Sequence, residues 1–193
     1  MTTGPIRILV PTGSLGAGAV EEEIRYGISR GAQAIATDAG STDSGAAYLA
    51  LGISKNNRGS VKRDLTILMK AGAEAGIPVI VGTSGQAGGD ANVDWTRDIA
   101  LEIADELGIR PKIALLYSEQ DKAVLKAKNA AGRIHALAPL GPLEDQTIDA
   151  CDHIVAAMGP EPYMAALAAG ADLILGGRTT DTAVIASFAL LHG

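Results

Sequence analysis

The 193-residue sequence has one cysteine and no long apolar run, and each absence excludes a class of protein. A single cysteine, Cys151, cannot build a disulfide framework or a cysteine-based zinc site, and it is typical of a reducing cytosol. No apolar stretch approaches about 18 residues without a charge or a turn signal, so we expect no transmembrane helix. The first ten residues lack the pattern of a signal peptide. We therefore expect a cytoplasmic protein that does not bind a membrane.

Basic clusters and aromatic residues are also scarce. The chain has 16 Lys and Arg against 22 Asp and Glu, and its net charge is −6. The longest basic run is Lys62-Arg63, so we expect no nucleic-acid partner, which would need a basic patch. Apolar residues make up 47% of the chain but aromatic residues only 3%, so the core must be built mainly from aliphatic side chains.

Short aliphatic runs alternate along the chain with alanine- and glutamate-rich stretches of helical period. The aliphatic runs predict strands over residues 6–10, 34–37, 79–81, 113–116, 135–138, 154–157 and 173–175. The periodic stretches predict helices over residues 21–30, 61–75, 95–107, 122–131, 161–169 and 181–191. Ser60 and Asp94 are candidate N-caps. The glycines predicted to end helices are Gly31, Gly76, Gly108, Gly132 and Gly170.

The strand runs are continuously apolar, which is typical of parallel strands covered on both faces. We predict an α/β fold with a mostly parallel, doubly wound, Rossmann-like sheet flanked by helices. A partial (β/α) barrel is the alternative, because seven strands are too few for a complete barrel of about 250 residues.

Polar loops follow five of the predicted strands, and in both architectures ligands bind at the carboxyl ends of strands. These loops cover residues 11–18, 38–45, 82–90, 117–122 and 176–181. The opposite connections, such as 75–78 and 169–172, are short and plain. The asymmetry predicts a functional site on the carboxyl side of the sheet.

The loop from Gly13 to Gly18 reads G-x-x-G-x-G, whereas the dinucleotide fingerprint is G-x-G-x-x-G. We therefore expect no nicotinamide cofactor, and favour either a phosphate or carboxylate bound at a helix N-terminus or a flexible loop. Glycines in 82–90 can offer backbone N–H groups to an anion. The candidate ligand-binding residues of all these loops are Gly13, Ser14, Ser41, Thr42, Ser44, Ser84, Gly88, Gly89, Asp90, Gln120, Thr180 and Asp181.

Four residues are candidates for catalysis. Asp38 and Asp43 lie five residues apart and can divide acid and base roles, or can form an Asx-turn and an N-cap instead. Glu119 is a candidate general acid or base. Arg178 can clamp a carboxylate or phosphate, or can form a structural salt bridge. No histidine is predicted on the carboxyl side of the sheet, and we expect no metal site and no Ser-His-Asp triad.

Several of these segments together resemble the acyclic terpene utilisation (AtuA-like) family. The segments are Asp38–Gly45, Ser60–Leu65, Gly88–Asp90 with Asp94-Trp95, Ser118–Lys122 and Gly177-Arg178 with Asp181. The resemblance implies a cytosolic protein of bacterial catabolism, which includes acyl-CoA breakdown of branched terpenoids such as citronellol and geraniol. Family members are usually longer, and some have a small partner subunit or a fused C-terminal domain. We therefore expect residues 1–193 to be a single α/β domain, the N-terminal domain of a longer parent protein.

The main functional hypothesis is an enzyme of lyase, hydratase or isomerase type without a cofactor. Its substrate is a branched carboxylic acid or acyl-CoA, held by Arg178 and the Gly88-Gly89 backbone, while Asp38, Asp43 or Glu119 moves a proton. A non-catalytic ligand-binding or scaffold subunit of a catabolic complex is one alternative, and a nucleotide-binding domain is another. We also expect a homo-oligomer.

Overall fold

The computed structural model describes residues 4–40 and 45–193 of the chain. Its strands are β1 (Ile8–Leu9), β2 (Ala34–Gly40), β3 (Val79–Gln86), β4 (Ile113–Leu116) and β5 (Leu173–Gly176). Its helices are α1 (Glu21–Ser29), α2 (Gly45–Leu51), α3 (Arg58–Ala75), α4 (Asp90–Leu107), α5 (Lys122–Ala130), α6 (Asp145–Ala150), α7 (Glu161–Ala168) and α8 (Asp181–His192). The strands form one sheet in the order β1-β2-β3-β5-β4, and every pairing is parallel.

Both faces of the sheet are covered, and this explains the continuously apolar strands. Val79 and Val81 of β3 point into one core, while Ile80 between them points into the other. The first core packs against α1, α3 and α4, and the second packs against α7 and α8. The predicted α/β class with a parallel, helix-flanked sheet is confirmed.

The helices change face where the chain reverses direction across the sheet. From β1 to β4 the chain crosses the sheet from one edge strand to the other, and its connecting helices α1, α3 and α4 lie on one face. It then returns over α7 on the other face and inserts β5 between β3 and β4. Because parallel crossovers are right-handed, a reversal of direction moves the connecting helix to the opposite face.

Two of the seven predicted strands are wrong. Residues 135–138 form an irregular loop in which Leu137 is 83% exposed, so this segment is not buried as a strand of the sheet would be. Residues 154–157 contain only an isolated antiparallel bridge between Val155 and Glu119. Helices α2 and α6 were not predicted by the periodicity, because both are too short to show it.

Helix ends were predicted better than helix starts. The five glycines predicted to end helices all have positive φ, between 64° and 86°. The predicted N-caps are wrong, because Ser60 and Asp94 lie inside α3 and α4. Asn57 caps α3 by accepting a hydrogen bond from the Gly59 N–H. Among the helices of residues 4–40 and 45–193, none combines the length and the apolarity that a bilayer span requires.

Candidate functional site

The parallel strands bring the polar loops together at one edge of the sheet, which we call the carboxyl edge. It comprises Asp38 in β2, residues 82–90 around the end of β3, residues 117–122 after β4 and residues 176–181, which begin with the last residue of β5. The edge at the opposite ends of the strands is called the amino edge. Backbone hydrogen bonds join the loops of the carboxyl edge directly, for example from Arg178 N–H to the Gly88 carbonyl over 2.9 Å.

The end of β3 is a bulge with a strained backbone. Asp38 pairs with Gly82 and Gly40 pairs with Gln86, so three residues of β3 lie opposite the single residue between them in β2. Thr83 has a φ of 48° and Gln86 a φ of 73°, which is uncommon for residues other than glycine. Thr179 holds the Thr83 hydroxyl in place. The hydroxyl donates to the Thr179 carbonyl over 3.3 Å and accepts from the Thr179 N–H over 3.2 Å. Backbone strain of this kind clusters at functional sites.

Asp38 is placed where its carboxyl group is costly to ionise. Burial raises the pKa of Asp38, and the negative charge of Asp181 raises it further, while hydrogen bonding by the backbone N–H groups of Gly40 and Ala39 and by the Thr83 side chain opposes the shift. Its Oδ1 atom is buried without a hydrogen-bond partner among the described residues, and so is the Oγ atom of Ser84. Most buried polar atoms in proteins are hydrogen-bonded, so each of these two oxygens marks a place where a water molecule or a ligand group can supply the missing partner.

Arg178 links the loops that follow β3 and β5. Its Nη2 donates to the carbonyls of Gln86 and Ala87 over 3.2 and 2.8 Å. Burial lowers the pKa of Arg178, and the negative charges of Asp38 and Asp181 oppose that shift. An arginine stays charged at physiological pH. Within the described residues its guanidinium has carbonyl partners rather than a carboxylate partner, so its charge is available to an anionic ligand.

Glycine is required where the loops touch backbone to backbone. A Cβ atom on Gly88 would lie 2.5 Å from the Arg178 nitrogen, and one on Gly177 would lie 2.5 Å from the Ser118 hydroxyl. The same hydroxyl donates to the Gly88 carbonyl and accepts from the Arg178 N–H, each over 2.8 Å. The candidate ligand-binding residue Gly88 thus fixes the position of Arg178.

Asp90 and Glu119 bind each other's backbone across the gap between α4 and β4. The Oδ1 atom of Asp90 accepts hydrogen bonds from the N–H groups of Ser118 and Glu119 over 3.1 and 3.2 Å. In return, Oε1 of Glu119 accepts from the Asp90 N–H over 2.9 Å. A Cβ atom on Gly89 would lie 3.0 Å from the same Oε1 atom. Asp90 and Glu119 are therefore fixed in position by the fold.

His153 also lies at the carboxyl edge, contrary to prediction. Its Nδ1 atom is 3.1 Å from both carboxylate oxygens of Glu119. The prediction was wrong because residues 154–157 do not begin a strand at the amino edge. They run antiparallel beside residues 118–120, with hydrogen bonds from Gln120 N–H to the Ile154 carbonyl and from Ala156 N–H to the Ser118 carbonyl.

The loop from Gly13 to Gly18 already holds an anion that belongs to the chain. The N–H groups of Gly16 and Gly18 both donate to Oδ2 of Asp64 over 2.9 Å, and Asp64 is fully buried in α3. Ser14 is tied to the bulge, because its hydroxyl accepts a hydrogen bond from Gln86 Nε2 over 2.8 Å. Gly13 is exposed at the start of this loop. Because they bind Asp64, the N–H groups of Gly16 and Gly18 are not available to a phosphate.

The remaining candidates divide into described and undescribed residues. Gln120 Nε2 donates to the Ser118 carbonyl over 2.9 Å, and Thr180 and Asp181 form the start of α8. Asp121 caps α5 by accepting from the Val124 N–H. The residues that lie outside the described ranges are Ser41, Thr42, Asp43 and Ser44. Within the described ranges, no group of three His, Cys, Asp or Glu side chains is arranged to hold a metal.

Two cavities lie at the amino edge instead. One of about 260 Å³ is lined by residues that include Met69, Arg110 and Pro111, and one of about 530 Å³ by residues that include Leu167 and Phe188. Their linings are mainly aliphatic. Asp38, Glu119, His153 and Arg178 all lie at the carboxyl edge, so the chemistry favours that edge although these two cavities are at the other.

A comparison with protein families identifies the chain. The model of the acyclic terpene utilisation family protein AtuA matches residues 54–193, which is more than half of the sequence. The chain belongs to this AtuA family. No curated protein and no solved structure matches it.

The family match covers most of the carboxyl edge. The matched part of this AtuA-family chain contains the bulge of β3, Glu119, His153 and Arg178, whereas Asp38 precedes it. The resemblance predicted from short motifs is confirmed, and the family name connects the chain with the utilisation of acyclic terpenes.

Proposed function

We propose that this AtuA-family protein is a catabolic enzyme of lyase, hydratase or isomerase type. Its substrate is a branched carboxylic acid or acyl-CoA of the kind formed in acyclic terpene breakdown. One observation carries the proposal. Asp38 lies at the carboxyl edge together with Arg178, and it has a raised pKa and a buried Oδ1 atom without a hydrogen-bond partner among the described residues. An acid and a cation placed in this way suit a substrate that is anionic or carbonyl-bearing.

The three reaction types share one step, which is the transfer of a proton at the carbon beside a carboxylate or thioester. That carbon becomes acidic when positive charge stabilises the neighbouring oxygen, and Arg178 supplies such charge. A carboxyl group with a raised pKa keeps its proton to a higher pH than an ordinary carboxyl group, which is the direction of shift expected for a general acid–base catalyst. Asp38 is therefore the proposed proton carrier, and Arg178 the proposed anchor.

A non-catalytic ligand-binding or scaffold subunit is the second candidate. The observation in its favour is that many polar groups of the carboxyl edge already bind one another, above all Asp90 with Glu119 and Ser118 with Arg178. We also propose a cytoplasmic homo-oligomer, which in the longer parent protein has a small partner subunit or a C-terminal domain. A nucleotide-binding role has less support, because the Asp64 carboxylate occupies the N–H groups of Gly16 and Gly18.

Calorimetric titration with the acids and CoA thioesters derived from citronellol and geraniol tests the proposal, with straight-chain analogues as controls. We expect a branched ligand to bind, Arg178→Ala to abolish binding, and Asp38→Asn to retain binding while turnover falls by about 100-fold or more. Binding without turnover of any ligand in the panel supports the non-catalytic subunit. If no branched acid or thioester binds, the enzyme and the ligand-binding subunit are both ruled out as functions of the carboxyl edge, and only the scaffold subunit is left.

A further inference from the structure

We infer that His153 is a second acid–base residue of the proposed active site, with Nε2 as its reacting atom and Glu119 as its positioning residue. This inference rests on the proposed enzymatic function. It adds a group that the sequence did not suggest, since His153 was predicted to lie away from the carboxyl edge.

The geometry of the pair leaves one ring nitrogen of His153 engaged and the other open. Nδ1 is 3.1 Å from both oxygens of Glu119, and carboxylate oxygens accept hydrogen bonds, so Nδ1 carries the proton. Nε2 has no partner among the described residues, and the side chain is 30% exposed. In a neutral imidazole whose Nδ1 is protonated, Nε2 has the free lone pair that a general base needs.

Glu119 is held firmly enough to orient the ring. Its Oε1 atom accepts from the Asp90 N–H at the first turn of α4, where the helix dipole favours a negative charge. The Glu119 N–H is bound in turn by the Asp90 carboxylate. A carboxylate anchored at both its side chain and its backbone can fix the tautomer of a neighbouring histidine.

The segment that follows His153 runs along the carboxyl edge to Arg178. Ala156 N–H binds the Ser118 carbonyl over 3.0 Å, and Met158 N–H binds the Arg178 carbonyl over 2.9 Å. The Ser118 hydroxyl accepts from the Arg178 N–H. His153 and Arg178 therefore belong to one hydrogen-bonded framework.

A second acid–base group suits the proposed chemistry. Nε2 takes a proton from the substrate carbon or from its hydroxyl, and the carboxylate of Glu119 stabilises the imidazolium that forms. In a dehydration that proton is returned to the departing hydroxyl, which leaves as water. In the reverse hydration water is the second reactant, and in an isomerisation the proton returns to another carbon, so none of these steps needs an oxidant or a reductant. Hydratases and lyases move protons at two substrate atoms, and His153 supplies a group for one of them.

The tautomer can be measured without any substrate. Long-range proton–nitrogen NMR spectra of the labelled chain distinguish the two ring nitrogens of its three histidines, and His153→Gln assigns the signal. We expect His153 alone to carry its proton on Nδ1 in the neutral form, while the exposed His135 and His192 serve as internal references. In Glu119→Ala the preference should disappear. A proton on Nε2 of neutral His153 in the unaltered chain overturns the inference.

The functional part of the test adds 3-methylbut-2-enoyl-CoA and its branched homologues. We expect ligand to shift the Nε2 signal of His153, and His153→Gln to lower kcat about 100-fold with a much smaller change in KM. Glu119→Gln should lower kcat too, while it keeps an acceptor oxygen for the Asp90 N–H and so preserves the fold. Arg178-dependent turnover that survives in His153→Gln disproves the role of His153 alone. Absence of binding to the unaltered chain disproves the proposed function and with it this role.

Discussion

Asp38 and Asp64 are acids of the same protein with opposite surroundings. Asp64 is fully buried, and its carboxylate accepts from two glycine N–H groups and from Nε and Nη2 of Arg63. Asp38 has one oxygen without such a partner in the described part of the chain. A buried charge with its bonds complete supports the fold, whereas one with a bond missing is available for chemistry.

Replacement of Asp64 tests the structural half of this contrast. Asp64→Ala leaves the N–H groups of Gly16 and Gly18 without their acceptor, so we expect it to lower the free energy of unfolding by about 3 kcal/mol. Asp64→Asn keeps one acceptor oxygen and should cost less. Urea unfolding measures both, and Asp105→Ala, which breaks an exposed ion pair, is the control with an effect below about 1 kcal/mol. Equal stability of Asp64→Ala and the control would contradict the assignment.

The raised pKa of Asp38 predicts that the stability of the protein depends on pH. In the unfolded chain its carboxyl ionises near the ordinary value of 3.8, while burial raises the pKa of the folded state. Between these two values the folded state binds more protons than the unfolded state, so the contribution of Asp38 to stability is lost as pH rises. Asp38→Asn does not titrate. Its stability relative to the unaltered chain should therefore rise with pH from just below 3.8 and level off above the folded pKa.

Urea unfolding of both chains at a series of pH values gives this difference directly. The sign of the slope of this stability difference against pH decides between two cases. It is positive for a carboxyl whose folded pKa is raised, and negative for a carboxyl that an ion pair stabilises as an anion in the folded state. A difference that falls as pH rises shows that Asp38 is stabilised as an anion, and removes the observation that carries the proposed function.

At the scale of elements, β3 and α8 are packed so closely that glycine is required between them. A Cβ atom on Gly82 would lie 2.1 Å from Cγ2 of the fully buried Val184. We expect Gly82→Ala to cost about 2 kcal/mol of unfolding free energy, since overpacking a tight core is destabilising. Val184→Ala makes room for the added methyl group, so the double variant should lose less than the sum of the single losses.

The matched control for Gly82→Ala is Gly141→Ala, where an added Cβ meets nothing within 4 Å. Thermal or urea unfolding of the unaltered chain, Gly82→Ala, Val184→Ala and the double variant completes the double-mutant cycle. Strict additivity of Gly82→Ala and Val184→Ala would show that the strand and the helix are not in this contact.

Elements whose burial follows from their own sequence were predicted, and elements that depend on their surroundings were not. Residues 79–81 of β3 are apolar and buried on both faces, so their pattern alone reveals a strand, whereas residues 82–86, which contain glycine and polar side chains, were predicted as a loop and prove to continue β3. Residues 135–138 were also predicted as a strand, yet Leu137 is exposed, and none of the strands in the described part of the chain pairs with them. Residues 154–157 pair as an isolated antiparallel bridge, which depends on contact with Glu119 rather than on periodicity.

At the scale of the whole molecule, the carboxyl edge was predicted because parallel strands carry all their polar loops to one side. That reasoning finds residues adjacent to strand ends, such as Asp38 and Arg178. It cannot find His153, which reaches the edge through an irregular segment, or Asp64, whose glycine partners are 46 and 48 residues away in sequence. Both depend on contacts between distant segments, and a single sequence does not show such contacts.

The two edges of the sheet make competing predictions about where a ligand binds, since the cavities of about 260 and 530 Å³ are at the amino edge. A ligand at 100 times its dissociation constant stabilises the folded state by about 2.7 kcal/mol, which appears as a rise in Tm. We expect Arg178→Ala to abolish the rise caused by a branched acyl-CoA. Arg110→Ala, at the amino-edge cavity with an exposed side chain, should leave it unchanged because no charge of the carboxyl edge is altered. A rise that is lost in Arg110→Ala and kept in Arg178→Ala would place the ligand in the amino-edge cavity, and the polar loops of the carboxyl edge would then serve only to join the strands.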